Sequence, residues 1–240
     1  MRSHGFGKNA SFVLLPLILL LSLPLFSSSI QAADQTNPSG TNLVGSMTGT
    51  ADDDNYANHG EVTAMVDMSQ DGNDTFTNSG TVDGEVKMPG KGGNTLTNQD
   101  GGLLESLVTV SVNNANGNNS AGNTVTNAGT INTSVYISHN TGGNRNGGSN
   151  TQNNTGTITG GTFGSCNYGA SSTGGSNHIT NSGTMGLSVY ISVNQGIGSS
   201  GGSNTLDNSG VIENEDKGSL NYGESSSGGS TTIINSGKIY

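Results

Sequence analysis

The sequence is poor in the usual stabilisers of a secreted fold. It has one cysteine, no tryptophan, four prolines and only 10% charged residues, with Lys and Arg numbering seven against seventeen Asp and Glu. With Cys166 alone, no intramolecular disulfide can form. So few basic residues give no patch for phosphate, which argues against nucleic acid and against an anionic membrane surface. Hydrophobic residues make up 29% of the chain, and 40 glycines accompany abundant Asn, Ser and Thr. Such a composition would suit a disordered chain unless the few apolar residues recur at a fixed period and can be stacked.

The first residues follow the order of a secretory signal peptide. Arg2 and Lys8 precede an apolar stretch from Phe12 to Phe26, and Ala32 and Ala33 stand before Asp34. The stretch is interrupted by Pro16 and Pro24 and is shorter than the roughly 20 residues a spanning helix needs. Removal of residues 1–32 is expected, with export, no membrane insertion and an acidic mature chain: five Lys and Arg against seventeen Asp and Glu, a formal charge of −12, with Arg145 its only arginine.

From there the chain is organised around one asparagine, at Asn58, Asn78, Asn98, Asn127, Asn154, Asn181, Asn208 and Asn235, spaced by 20, 20, 29 and then 27 residues four times. Each copy reads Asn, x, apolar, x, Asn, x, Gly, x, apolar, as in Asn177, Ile179, Asn181, Gly183 and Met185. All five positions share one parity, so in an extended chain they face one way. Phe76, Leu96, Ile179, Leu206 and Ile233 in one column, and Val82, Ile131, Ile158 and Ile212 in another, set that face inward. The alternate residues, such as Thr75, Thr77, Thr124 and Thr126, suit a solvated strand face. Buried asparagines need partners, and counterparts in neighbouring coils supply them as a ladder. Gly60, Gly80, Gly129, Gly156, Gly183, Gly210 and Gly237 then mark a bend that needs either positive φ or close backbone approach.

A later strand repeats as SVYIS at 134–138 and 188–192, alternating with SCNYG at 165–169 and SLNYG at 219–223, which suggests a duplicated 54-residue unit. Gly-, Ser- and Asn-rich stretches such as 141–149 and 170–176 close the coils as loops. The expected fold is all-β: one right-handed parallel β-helix of about eight coils, 20 to 29 residues each, over residues 54–240, with residues 33–53 as a lead-in. At roughly 4.8 Å per coil the rod would be about 40 Å long.

The copies TNSGTV (77–82), TNAGTI (126–131) and TNSGTM (180–185) resemble the Asn-x-Gly-Thr-apolar repeats of β-solenoid passenger regions in bacterial autotransporters and haemagglutinin-like adhesins. The resemblance covers most of residues 54–240 and implies a parallel β-helix displayed on, or released from, a bacterial surface. No membrane barrel follows Tyr240 in this sequence, so export is not expected to run through a barrel of the chain's own. Curli-type subunits share repeats of similar length, but their Gln-x-Gly and Asn-x-Ala motifs are absent, and they serve only as a precedent for self-assembly.

Chemistry-bearing residues are sparse. His59, His139 and His178 occupy non-equivalent positions, and no repeated nucleophile–base pair accompanies a carboxylate, which points away from an enzyme and from any cofactor. Asp52, Asp53, Asp54, Asp71 and Asp74 offer oxygens for Ca²⁺, but they lack the spacing of calcium-binding β-rolls and read as a solvated acidic edge. Cys166 aligns with His139, Val193 and Leu220 at inward parity, as a small apolar residue would. Tyr136, Phe163 and Tyr190 recur at 27-residue intervals with outward parity, ending at Lys217, and form a candidate contact strip for surface glycans or a partner rod. Paired outward threonines (Thr75 and Thr77, Thr95 and Thr97, Thr124 and Thr126) make a short array of the ice-binding kind. Finally, the last copy, TTIINSGKIY (231–240), stops after its first strand pair, and Asn42 to Thr50 could supply the later half of a coil, so head-to-tail joining of copies is expected. Together these features describe a secreted, structural or adhesive protein of the cell surface or extracellular matrix.

Overall fold

A computed structural model describes residues 34–68, 71–88, 90, 93–113, 122–144, 146 and 148–240. The expected signal peptide and Arg145 lie outside the described residues.

The chain winds into a parallel β-solenoid whose strands stack into three sheets, each strand paired with its counterparts in the coils before and after. The first sheet has nine strands, from Asp34–Asn37 through Asn55–Asn58, Thr75–Asn78, Thr95–Asn98, Thr124–Asn127, Asn150–Asn154, Asn177–Asn181 and Asn204–Asn208 to Thr231–Asn235. The second also has nine, from Asn42–Leu43 to Lys238–Ile239, and the third runs from Met47–Thr48 to Ser219–Asn221. The registers are those of the repeat: Asn127 pairs with Asn154, which pairs with Asn181.

The parity reading accounts for the core. Tyr56, Phe76, Leu96, Val125, Ile179 and Leu206 from the first sheet, and Val62, Val82, Leu104, Ile131, Ile158, Met185 and Ile212 from the second, are all 0% exposed. Each column packs against itself along the axis, so a coil too small to bury a core alone completes one with its neighbours.

There are nine coils here, one more than the repeat suggests. The segment expected as a lead-in is the first of them: Asp34–Asn37, Asn42–Leu43 and Met47–Thr48 pair in register with the strands of the second coil. Its pattern is hidden because Asn37 and Leu43 are six residues apart, where most coils place four between the same positions. The fourth coil carries the same insertion between Asn98 and Leu104, and there Gly102 takes the bend position.

The bend glycines resolve the choice between positive φ and close approach. None of them has positive φ. Instead, a Cβ at Gly80 would lie 1.9 Å from Gly60 O, and at Gly156, Gly183 and Gly237 it would lie 2.1 Å from the glycine carbonyl of the preceding coil. Positive φ is used in the long loops, where Asn144, Ser171, Gly198 and Ser225 stack at one 27-residue position and Gly148, Gly175, Gly202 and Gly229 at another. These loops are ordered by one another, through bridges linking Asn146, Thr173, Ser200 and Ser227 in sequence.

One residue breaks the core pattern. Gln152 stands between Val125 and Ile179 in the apolar column, fully buried, with neither side-chain Nε2 nor Oε1 hydrogen-bonded. Buried amide groups without partners each cost about 1–3 kcal/mol. Gln152→Leu is therefore expected to raise stability by about 2 kcal/mol, or ~4–8 °C in a thermal melt followed by circular dichroism. An unchanged or lowered midpoint would contradict this.

Candidate functional site

Three polar ladders and one aromatic ladder are the features with chemistry. In the first ladder, the Nδ2 of each asparagine donates to the Oδ1 of the asparagine one coil towards the C-terminus. The chain of bonds runs Asn37, Asn58, Asn78, Asn98, Asn127, Asn154, Asn181, Asn208 and Asn235, with distances of 2.7 to 2.9 Å. The same Nδ2 also reaches a backbone carbonyl of that next coil, as Asn154 does to Thr184 O at 3.1 Å. All donors thus point one way along the rod, and the ladder is polar. Asn37, outside the sequence-based set, is its first member.

A second ladder occupies the position four residues earlier in each coil. Asn123 donates to Asn150, Asn150 to Asn177 and Asn177 to Asn204, at 2.8 to 2.9 Å. A third, confined to the long coils, runs Asn140, Asn167, Asn194 and Asn221 at 2.7 to 2.9 Å. Its 27-residue spacing is visible in the sequence, but Asn-rich stretches around it mask which asparagines matter.

The second ladder overturns the reading of the acidic segment. In the second and third coils its position is held by Asp54 and Asp74, which are 2% and 0% exposed and are not part of a solvated edge. Asp52, Asp53 and Asp71 are exposed, and among the described residues no group of three or more His, Cys, Asp or Glu is placed to hold a metal ion. Asp74 Oδ1 accepts the Asp54 N–H at 3.0 Å, whereas its Oδ2 is buried without a partner. One coil on, Asn94 uses its Nδ2 to donate to the carbonyls of Met88 and Val110. A carboxylate cannot make such donations, but a protonated carboxyl can. Burial, reinforced by the charges of Asp54 and Asp53 and opposed by the hydrogen bond from the Asp54 N–H, raises the Asp74 pKa to about 6 from an ordinary value of 3.8.

Because the folded state holds this proton more tightly, the stabilisation is complete below about pH 4 and is lost as the pH rises to about 6. Asp74→Asn supplies the donor permanently. It should remove most of that decline and raise stability at pH 7 by about 2 kcal/mol, as read by urea denaturation across pH 4–7. Parallel pH profiles for the two proteins would refute the assignment.

Tyr136, Phe163 and Tyr190 stack face to face, with centroids 4.4 and 5.0 Å apart and planes within 8°. The rings are half-buried, and the stack takes up both faces of Phe163 and one face each of Tyr136 and Tyr190, so edges and hydroxyls are the larger part of what the strip offers to solvent. Lys217, paired with Glu215 at 2.7 Å, ends the column. Beside it, Phe163, Leu187 and Tyr190 border a shallow depression of about 290 Å³ in which Leu187 is 48% exposed.

Cys166 is buried as expected but on the other side of its strand. Ile137 and the following Ser138 are both buried, so the alternation slips by one residue, and Ser165 and Asn167 face the interior, where Ser165 Oγ takes the Asn177 Nδ2 at 3.1 Å. Cys166 therefore lies on the aromatic side, sharing a hydrogen bond with Tyr168. Its burial pushes the thiol up to about 12, so it has no thiolate reactivity at neutral pH. His139, in the same register column, stacks on Tyr136 at 5.7 Å, and burial lowers its pKa. His59 Nδ1 lies 2.6 Å from Ser79 Oγ on the exposed glycine corner, and His178 bonds Thr180 within its own strand.

Searches of protein-family models, curated proteins and solved structures return no match for this chain.

Proposed function

We propose that this chain is a secreted, non-enzymatic structural rod that acts outside the cell, at its surface or in a matrix. The observation that carries this reading is the unbroken Asn37–Asn235 ladder, which ties nine coils together without a disulfide. Buried, fully paired amide ladders add hydrogen bonds along the axis and specify a single register. That suits a rigid element better than a protein whose work depends on moving parts. The apolar stretch Phe12 to Phe26 followed by Ala32 and Ala33 supports export. Cell fractionation with intact-mass measurement tests the reading. Recovery from the medium or surface fraction without roughly the first 32 residues is the expected result. Cytoplasmic retention with residues 1–32 intact overturns it.

An adhesive role on surface glycans is the second reading, supported by the depression bordered by Phe163, Leu187 and Tyr190. Since both faces of Phe163 are occupied within the stack, contact there would run through Leu187 and the ring edges. Loss of glycan-array binding in Leu187→Ser, with thermal stability unchanged, is the result this reading requires. The in-register rows Thr75, Thr95, Thr124 and Thr77, Thr97, Thr126 keep an ice-binding alternative testable by thermal hysteresis.

A further inference from the structure

We propose that the sixth coil, with strands Asn150–Asn154, Thr157–Ile158 and Thr162–Asn167, is a built-in yield point that divides the rod into two cooperative blocks. Such a boundary is set inside the core and exists whichever extracellular role the rod serves.

The coils on either side each turn four apolar side chains inward. These are Val125, Ile131, Val135 and Ile137 in the fifth coil and Ile179, Met185, Val189 and Ile191 in the seventh, all 0% exposed. The second, third and fourth coils follow the same rule, as Phe76, Val82, Val86 and Met88 do in the third. In the sixth coil only Ile158 remains. Gln152 pairs in register with Val125 and Ile179, and Thr162 with Val135 and Val189. Gly164 stands between Phe163, which pairs with Tyr136, and Ser165, which pairs with Ser138, so it takes the place of Ile137. Gln152 and Thr162 are fully buried, and neither Gln152 Nε2, Gln152 Oε1 nor Thr162 Oγ1 has a hydrogen-bond partner. The position of Gly164 is closed to any side chain, since a Cβ there would lie 2.4 Å from Ile191 O.

The polar ladders do not offset this gap, because they run alike through all three coils. Asn127, Asn154 and Asn181 are joined at 2.8 Å, Asn123, Asn150 and Asn177 at 2.8 to 2.9 Å, and Asn140, Asn167 and Asn194 at 2.7 Å. They hold the sixth coil in register without strengthening it over its neighbours. In a stacked array each coil touches only the next, so cooperativity extends only as far as the contacts between neighbours are strong. Three missing apolar side chains, with buried polar atoms in two of their places, weaken both contacts of the sixth coil. The eighth coil has Asp216 opposite Val189 and Gly218 two residues on, but it keeps Leu206 and Ile212. The core is therefore thinnest at the sixth.

Hydrogen exchange of the mature protein, followed by mass spectrometry of its peptides over a series of urea concentrations, tests the boundary. Met185→Ala, which empties a core position of the seventh coil, should lower protection in the seventh and eighth coils at least about tenfold and leave the second to fifth within about threefold of wild type. Leu96→Ala, in the fourth coil, should do the reverse. Gln152→Leu combined with Thr162→Val returns two of the three missing apolar groups, and in that background each truncation should lower protection on both sides of the sixth coil. If the double variant is not secreted, Thr162→Val alone must still carry part of the Met185→Ala effect into the fifth coil. Truncations whose effects spread through the whole rod in the otherwise wild-type chain overturn the proposal. So does an effect that stops at a coil other than the sixth, or one that stays confined after the apolar groups are returned.

Discussion

Gly183→Ala is expected to destabilise the protein by about 3 kcal/mol or more, lowering the thermal midpoint by ~6–12 °C. The added methyl would lie 2.1 Å from Gly156 O and 2.7 Å from Thr155 C, both backbone atoms. Neither can yield cheaply. Gly156 O accepts the Thr184 N–H at 2.9 Å, and Asn154 O accepts those of Ser182 and Gly183 at 2.8 and 3.2 Å, so moving the carbonyl breaks the ladder that joins the coils. Nor can the coils separate locally, because Gly210 stacks on Gly183 just as closely. Gly143→Ala is the control: its methyl meets only Ala170 O, at 3.4 Å, so the change should cost less than about 1 kcal/mol. Equal melting curves for the two variants would show that the glycine corner is not tightly stacked.

Asn154→Leu, which preserves volume but not polarity, should cost about 3–5 kcal/mol by equilibrium urea denaturation. Asn154 is 0% exposed, accepts from Asn127 at 2.8 Å, and donates to Asn181 Oδ1 at 2.8 Å and Thr184 O at 3.1 Å. Leucine leaves an Asn127 N–H and the Asn181 and Thr184 oxygens without partners in a region closed to water. A loss below about 1 kcal/mol would mean that the ladder contributes little to the net balance. Asn154→Asp should be at least as harmful, since it buries a charge whose oxygen faces Asn181 Oδ1. The same exchange at Asn235 is tolerated within a single rod because that site is exposed. Position along the rod, not residue type, decides the outcome.

The particular residues show why some of this was legible beforehand and some was not. A strand alternates its faces with a period of two, so the shared parity of Asn177, Ile179, Asn181, Gly183 and Met185 led directly to a buried column, and the 27-residue spacing led to its stacking. The first coil escaped notice because two extra residues between Asn37 and Leu43 shift the pattern without disturbing the pairing. Cys166 was placed on the wrong face because one slip in alternation, where Ile137 and Ser138 are both buried, reverses everything after it. No spacing in the sequence announces such a slip.

By itself, then, the sequence determined the solenoid, its ladder asparagines from Asn58 to Asn235 and the positions of its bend glycines, because these follow from a local two-residue alternation repeated at a regular interval. Only the tertiary structure decided properties that depend on contacts between coils: that Asp54 and Asp74 are buried in a second ladder, that the rings of Tyr136, Phe163 and Tyr190 occupy one another's faces, and that every ladder amide donates in one direction. A repeat states which residues recur, whereas burial, stacking and hydrogen-bond polarity arise when the next coil is laid upon them.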